Sequence, residues 1–243
     1  MTNASGSTFT FPATYSFPPF FTPQPNSSTR HSQLQKWSAL IQSWCRHHRI
    51  YRLSLIDAID TPLFHNSALR KRVSLSEARA IVDWMAKSEE DGGGGRRAEW
   101  VSAGGAGGVS AGGGEGAGGS SGVGAAAGAA GKIVAWIWWR RPEEWAELLA
   151  DWVEETGQKN TVLTLYELIE GEATTSQGTV AWTIHITNNA PGTSSRQNHL
   201  NTDCLAEFHG MDLDVMLKSL NVLVKRGKAQ VFGHEDQQGV KFF

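Results

Sequence analysis

Apolar residues recur at helical spacing in two similar series along the chain, and each series closes on a pair of short strand-like segments. In the first series, Leu34, Trp37, Ile41 and Trp44 fall on one face of a helix that Ser28 or Thr29 can cap. Ser54 opens a short helix carrying Leu55, Ile56 and Ile59, and Pro62 stops it. Ser74 and Glu77 have the spacing of a capping box, in which a hydroxyl and a carboxylate each satisfy the other's backbone N–H. Ala78, Ile81, Val82 and Met85 then follow on one face, and strand-like pieces come at 99–102 and 132–139.

The second series repeats this order. Pro142 suits the first position of a helix, where its missing N–H costs nothing, and Glu143 and Glu144 complement the positive end of the helix dipole. Trp145, Leu148, Leu149, Trp152 and Val153 recur at helical spacing until Gly157. Thr164 and Glu167 form a second capping-box pattern, opening a short helix that ends by Gly171. A third helix carries Leu213, Met216, Leu217, Leu220, Leu223 and Val224 and stops at Gly227, followed by a closing hairpin at 229–232 and 240–243. The unit helix–helix–helix–hairpin therefore occurs twice. The expected fold is α+β, mainly helical, with two tandem winged-helix domains and disordered insertions. The predicted layout is a disordered tail at 1–14, a first domain at 15–141 and a second at 142–243, each of a size that can hold its own core.

Two segments interrupt the pattern. A Gly/Ala/Ser tract at about 103–131 has no periodicity and almost no charge, so its composition is that of a flexible linker at the tip of the first hairpin. Such an insertion costs little closure entropy. The polar segment at about 174–206, with an apolar stretch at 180–186, is long for a loop in so small a domain. It reads as a disordered insertion. Removing it would bring Gly171-Glu172 beside Glu207-Phe208-His209-Gly210, a join that also fits a retained intron.

Ahead of the first helix, Tyr15-Ser16-Phe17-Pro18-Pro19-Phe20-Phe21-Thr22-Pro23-Gln24-Pro25 holds four prolines among aromatic rings. Those prolines favour an extended, polyproline-like arm. Two readings stand: the rings cover the first helix of their own domain, or the arm docks into another protein.

Composition narrows the function. A net charge of −2 lacks the basic excess usual in nucleic-acid binders, although two winged helices raise a DNA-binding regulator as the alternative. The third helix of the first unit offers Glu77, Arg79 and Asp83, and that of the second begins Asp212-Leu213-Asp214, which repels phosphate. Its basic residues, Lys218, Lys225, Arg226 and Lys228, come late, where they fit the helix C-terminus equally well. Cys45 and Cys204 stand alone, which suits a reducing compartment. No apolar run approaches membrane-span length and no secretory leader pattern opens the chain, so a cytoplasmic protein is expected.

Catalytic motifs fail on context. Gly118-Gly119-Ser120-Ser121-Gly122 has the letters of a nucleophile elbow but lies inside low-complexity sequence, without strand or helix. Before Gly131-Lys132, Ala126 replaces the first glycine of a phosphate loop, and Ile133 replaces its hydroxyl residue. His47 and His48 are adjacent on a helix, and His199, Cys204 and His209 lack zinc spacing, so neither metal nor cofactor is expected. Glu143-Glu144 and Glu154-Glu155 read as solvated surface charge. The expectation is a protein that is not an enzyme.

Several motifs, in order along the chain, carry a resemblance. They are Tyr15-x-Phe17-Pro18-Pro19-Phe20-Phe21-Thr22-x-Gln24-Pro25-Asn26, Thr29-Arg30, Gln33-Leu34, Trp37, Pro62-Leu63-Phe64 and Asn66. Further on come Trp139-Arg140-Arg141-Pro142-Glu143-Glu144-Trp145, Thr164-Leu165-Tyr166-Glu167-Leu168, Glu207-Phe208-His209-Gly210 and Gly239-Val240-Lys241-Phe242-Phe243. Together they resemble the family of the small double-winged-helix subunit of the endosomal sorting complex ESCRT-II, known as vacuolar protein sorting-associated protein twenty-five. The resemblance runs from about residue 15 to the last residue and departs at the two insertions.

That resemblance implies a structural adaptor in which two copies of the chain join two larger ESCRT-II subunits. Pro18, Pro19, Phe20 and Phe21 would dock on those subunits. The second winged helix would recruit an ESCRT-III subunit, with Lys218 and Lys225 as candidate contacts, for multivesicular body sorting of ubiquitinated membrane cargo. Recruitment to the endosomal membrane would be peripheral and through partners, since the chain shows no basic amphipathic helix and no lipidation motif. No nucleic-acid partner is expected.

Overall fold

A computed structural model describes residues 8–101, 132–171, 208–233 and 238–243. The glycine tract, the 174–206 segment, Ser120, His199 and Cys204 lie outside the described residues. The chain divides into two compact units, Met1–Trp139 and Arg140–Phe243.

In the first unit, helix α1 (Ser27–His48) is followed by β1 (Arg52–Ser54), the single turn α2 (Leu55–Ala58), a minimal hairpin β2 (His65–Asn66) and β3 (Lys71–Arg72), helix α3 (Leu75–Ala86), β4 (Ala98–Trp100) and β5 (Val134–Ile137). The sheet is antiparallel in the order β1-β5-β4, with Leu53 opposite Ala135 and Trp100 opposite Ala135 on the other side. Trp37, Ile41, Cys45, Leu55, Leu63, Phe64, Ile81, Val82, Met85 and Ile137 form the buried centre. Burial among these apolar side chains pushes the Cys45 thiol up, out of reach of ionisation.

The second unit repeats the arrangement with α4 (Pro142–Glu155), β6 (Val162–Thr164), α5 (Leu165–Glu170), α6 (Leu213–Lys225), β7 (Ala229–Phe232) and β8 (Gly239–Phe242). Its sheet order is β6-β8-β7, the same as the first. Equivalent hydrogen bonds tie each sheet to the helix that follows its first strand. Leu55 N–H donates to Ile133 O at 2.8 Å, and Leu165 N–H donates to Gln238 O at 3.0 Å. Trp145, Leu149, Trp152, Phe208, Val215, Met216, Leu220, Leu223 and Phe242 are buried in this unit.

The local signals are realised unevenly. At α5 the capping box is complete: Thr164 Oγ1 accepts from Glu167 N–H at 3.1 Å, and Glu167 Oε2 accepts from Thr164 N–H at 2.7 Å. At α3 only half of it forms, because the Glu77 carboxylate pairs with Arg30 of α1 while Ser74 Oγ accepts from Glu77 N–H at 3.2 Å. Asn26, rather than Ser28 or Thr29, caps α1, its Oδ1 accepting from the N–H groups of both residues at 3.0 and 3.2 Å. The apolar face of α6 is also rotated from the expected one. Val215 and Ser219 are buried, whereas Leu213 and Val224 face solvent. Gly157 and Gly227 sit just past α4 and α6 with φ of 69°, the left-handed conformation that ends a helix.

Candidate functional site

The arm is not extended. It folds into two successive 3-10 turns, Ala13–Ser16 and Pro18–Phe21, whose inner side chains join the first unit's own core. Pro18 starts the second turn, where its fixed φ suits the helical conformation and no N–H is needed. Phe20 stacks on Trp37 with ring centroids 4.2 Å apart, and Phe21 meets the same ring edge-on at 5.6 Å.

Polar side chains of the domain then hold the arm's main chain. Phe20 O accepts from Trp37 Nε1 at 3.1 Å and from Gln33 Nε2 at 2.8 Å, and Thr22 O accepts from Gln33 Nε2 at 2.8 Å. Asn66 Nδ2 donates to Tyr15 O at 2.9 Å, and the Tyr15 hydroxyl donates to Pro62 O. Burial pushes the Tyr15 phenol up to about 12, so it remains a hydrogen-bond donor at any physiological pH.

Four candidate residues thus separate into two roles. Phe20 and Phe21 are 5% and 6% exposed and anchor the arm to its own domain. Pro18 and Pro19 are exposed, beside Phe17 at 60% exposure. The outward ridge is therefore Phe17-Pro18-Pro19. Phe17 was not among the expected contacts, and the alternation of exposed and anchored rings within the turn is what singles it out.

A second apolar surface lies in the second unit. Val162 on β6, with Leu165, Tyr166 and Ile169 on α5, lines a groove of about 760 Å³ together with Met211, Leu213 and Phe232. Tyr166 is 73% exposed, and Val162, Leu213 and Phe232 are each more than two-fifths exposed. Lys218 is half-buried and Lys225 exposed on α6, and neither lines this groove. The groove draws on β6, α5, α6 and β7, so no single periodic segment signals it.

The residues a DNA-reading helix would present are used inside the first unit. Glu77 pairs with Arg30, Arg79 Nε donates to Lys132 O at 3.0 Å, and Asp83 accepts from Trp100 Nε1 at 2.8 Å and Lys132 Nζ at 2.7 Å. The acidic pairs have local tasks as well. Glu144 accepts from Arg141 N–H at 2.9 Å, and Glu154 pairs with Lys159 at 3.0 Å, which holds the Glu154 carboxyl below the usual range. Among the described residues no group of three or more His, Cys, Asp or Glu converges as a metal site would require. No helix among them is long and apolar enough to cross a membrane.

A family model described as "ESCRT-II complex subunit" matches residues 14–181. The vacuolar protein-sorting-associated protein 25 of Dictyostelium discoideum is 34% identical over 241 residues, covering 98% of both chains. That of Homo sapiens is 30% identical over 235 residues, covering 97% of this chain and 98% of the human one. Among solved structures, subunit VPS25 of the endosomal trafficking complex ESCRT-II matches with a TM-score of 0.60 at 24% identity, covering 96% of this chain. A chain in the structure of the ESCRT-II complex, described as VPS22/VPS25/VPS36, matches with a TM-score of 0.58.

Proposed function

The chain belongs to the ESCRT-II subunit family of vacuolar protein-sorting-associated protein 25, and on that premise we propose that its two units are winged helices acting as protein-binding modules within ESCRT-II. Two copies join the larger subunits VPS22 and VPS36, and the second unit links the complex to an ESCRT-III subunit. The assembly sorts ubiquitinated membrane cargo into multivesicular bodies. The chain itself is cytoplasmic and reaches the endosome peripherally, through its partners.

The observation that carries this reading is the arm. An uncharged Phe17-Pro18-Pro19 ridge is presented outward by two buried phenylalanines and a set of side-chain hydrogen bonds to its main chain. A contact segment held in place before binding loses little entropy on docking. An exposed aromatic beside prolines provides the desolvated anchor area on which interface energy concentrates. Phe20 and Phe21 serve docking indirectly, by fixing the ridge.

The groove of the second unit is the proposed ESCRT-III surface. Its exposed Val162, Tyr166, Leu213 and Phe232 form the kind of contiguous apolar patch that marks an interaction site. This replaces Lys218 and Lys225, neither of which lines the groove, as the centre of that contact. Co-expression with VPS22 and VPS36 of the same organism tests the assembly role. The Pro18→Ala/Pro19→Ala variant should fold normally and be incorporated poorly. Normal incorporation of that variant would refute the arm's role.

A further inference from the structure

The turn that carries the chain from α3 to β4, residues 87–97, begins its first bend on one hydroxyl. Ser88 Oγ donates to Asp91 Oδ2 at 2.5 Å and accepts from Asp91 N–H at 3.3 Å. The Ser88 carbonyl accepts from Gly93 N–H at 2.8 Å. The chain then lies back on the last turn of α3. Gly94 N–H donates to Trp84 O at 2.8 Å, Arg97 N–H donates to Met85 O at 2.8 Å, and the Trp84 indole donates to Gly92 O at 2.9 Å. Gly93 and Gly94 have no room for a side chain, since a Cβ would lie 2.2 Å from Lys87 Cβ at the first and 2.7 Å from the Trp84 ring at the second. The turn is thus a close clasp on the end of α3, and the Ser88–Asp91 pair closes its first bend.

Ser88 is partly exposed and is followed without interruption by three acids, Glu89, Glu90 and Asp91, all exposed. Ser54, Ser74 and Thr164 also have a carboxylate three residues on, but their hydroxyls cap helices, and a leucine follows each at once. Ser88 instead stands in a surface turn, with a carboxylate at every one of the next three positions. Charge pattern decides which substrates a kinase accepts. A hydroxyl leading directly into consecutive carboxylates suits a kinase whose substrate cleft is basic.

We propose that Ser88 is a phosphorylation site for an acidophilic protein kinase, and that the modification opens the clasp on α3. In the transfer, Ser88 Oγ forms a bond to the γ-phosphorus of a nucleoside triphosphate. The bond from that phosphorus to the β–γ bridging oxygen breaks, the nucleoside diphosphate leaves, and the hydroxyl proton passes to the kinase's catalytic base. Oγ has then lost the hydrogen it donates to Asp91, and a phosphate carrying a charge of about −1.5 to −2 stands beside three carboxylates. Like-charge repulsion drives the bend apart. The bonds from Gly93 and Gly94 N–H, which the bend holds in place, open with it.

Casein kinase II with magnesium ATP, acting on the full chain, is the probe. Peptide mass spectrometry maps the phosphate, and amide hydrogen exchange is followed across residues 84–97. One phosphate on Ser88 is expected, and none at that position in Ser88→Ala. Glu89→Gln/Glu90→Gln, which keeps the Ser88–Asp91 bond, should be modified several-fold more slowly at an unchanged melting temperature. In the phosphorylated chain the Gly93 and Gly94 amides should exchange roughly tenfold faster, while those of α1 keep their rates. A chain left unmodified at Ser88, or an equal rate for the glutamine variant, would overturn the site. Phosphate on Ser88 with unchanged exchange at Gly93 and Gly94 would overturn the opening of the clasp.

Discussion

Phe20→Ala should unfold the first unit more readily, before any effect on assembly is considered. The ring is 5% exposed and lies face to face with Trp37, the planes 11° apart, with Phe21 edge-on beside it. Truncation removes the transfer free energy of the ring and leaves a cavity against Trp37 and Phe21, a loss of about 3–5 kcal/mol for a buried phenylalanine. The hydrogen bonds from Trp37 Nε1 and Gln33 Nε2 to Phe20 O go to the main chain and survive the substitution, so they limit the damage. Set against the ~5–15 kcal/mol that stabilises a typical domain, this is a large fraction.

Urea unfolding with far-UV detection is the assay. With a slope of roughly 2 kcal/mol per molar urea, the transition of the first unit should move down by about 2 M while that of the second stays in place. Phe17→Ala serves as the contrast, since a 60% exposed side chain should change stability by no more than about 0.5 kcal/mol. A Phe20→Ala protein within about 1 kcal/mol of wild type would refute the reasoning, because it would mean the arm lies outside the core.

Four further outcomes follow from local geometry. Asn26→Ala, which deprives the Ser28 and Thr29 N–H groups of their acceptor, should destabilise the first unit by about 1 kcal/mol, whereas Ser28→Ala should be close to neutral; equal losses in urea melts would contradict the cap assignment. Gly94→Ala should destabilise by about 1–3 kcal/mol, since a Cβ there would lie 2.7 Å from the Trp84 ring and 2.9 Å from Met85 Cα; an unchanged melting temperature would contradict that packing. Replacing 102–131 by a tight turn should stabilise the first hairpin by roughly 1–2 kcal/mol through cheaper loop closure, since Val101 N–H already donates to Val134 O at 3.0 Å; a large fall in melting temperature would show that the tract contributes contacts. Glu167, whose carboxyl is held below the usual range first by Thr164 N–H and then by the Thr164 hydroxyl, should titrate below other exposed glutamates in an NMR pH series. Its contribution to stability is present above the unfolded carboxylate value of about 4.3 and is lost as pH falls through the lowered folded value. Thr164→Ala should raise the midpoint only part way, because the main-chain donor remains, and a full return would contradict the order of causes.

Signals confined to a few neighbouring residues were the readable ones. Pro142 stands at the first turn of α4, Thr164 and Glu167 close a reciprocal cap, and Leu34, Trp37, Ile41 and Trp44 lie on the buried face of α1. Where a distant partner competes with a local one for the same group, the local pattern misleads. Glu77 is drawn to Arg30 and leaves its capping box half made. The prolines of the arm suggested an extended segment, yet Gln33, Trp37 and Asn66, distant in sequence, bend it into turns against the core. In α6 the apolar residues run nearly all round the helix, so periodicity alone could not choose Val215 and Ser219 for the interior over Leu213 and Val224. The groove was hidden for a related reason. Val162, Tyr166, Leu213 and Phe232 each look like an ordinary apolar member of a separate element, and only the fold puts them side by side.

The central claim is that this chain enters ESCRT-II through a ridge its own core holds outward. Native mass determination of the complex co-expressed with VPS22 and VPS36, with wild type, Pro18→Ala/Pro19→Ala and Phe17→Ala compared, tests it most directly. The account predicts a wild-type complex containing two copies of this chain, with both ridge variants folded when purified alone yet largely absent from the complex. No complex with the wild-type chain, or full incorporation of the ridge variants, would contradict it.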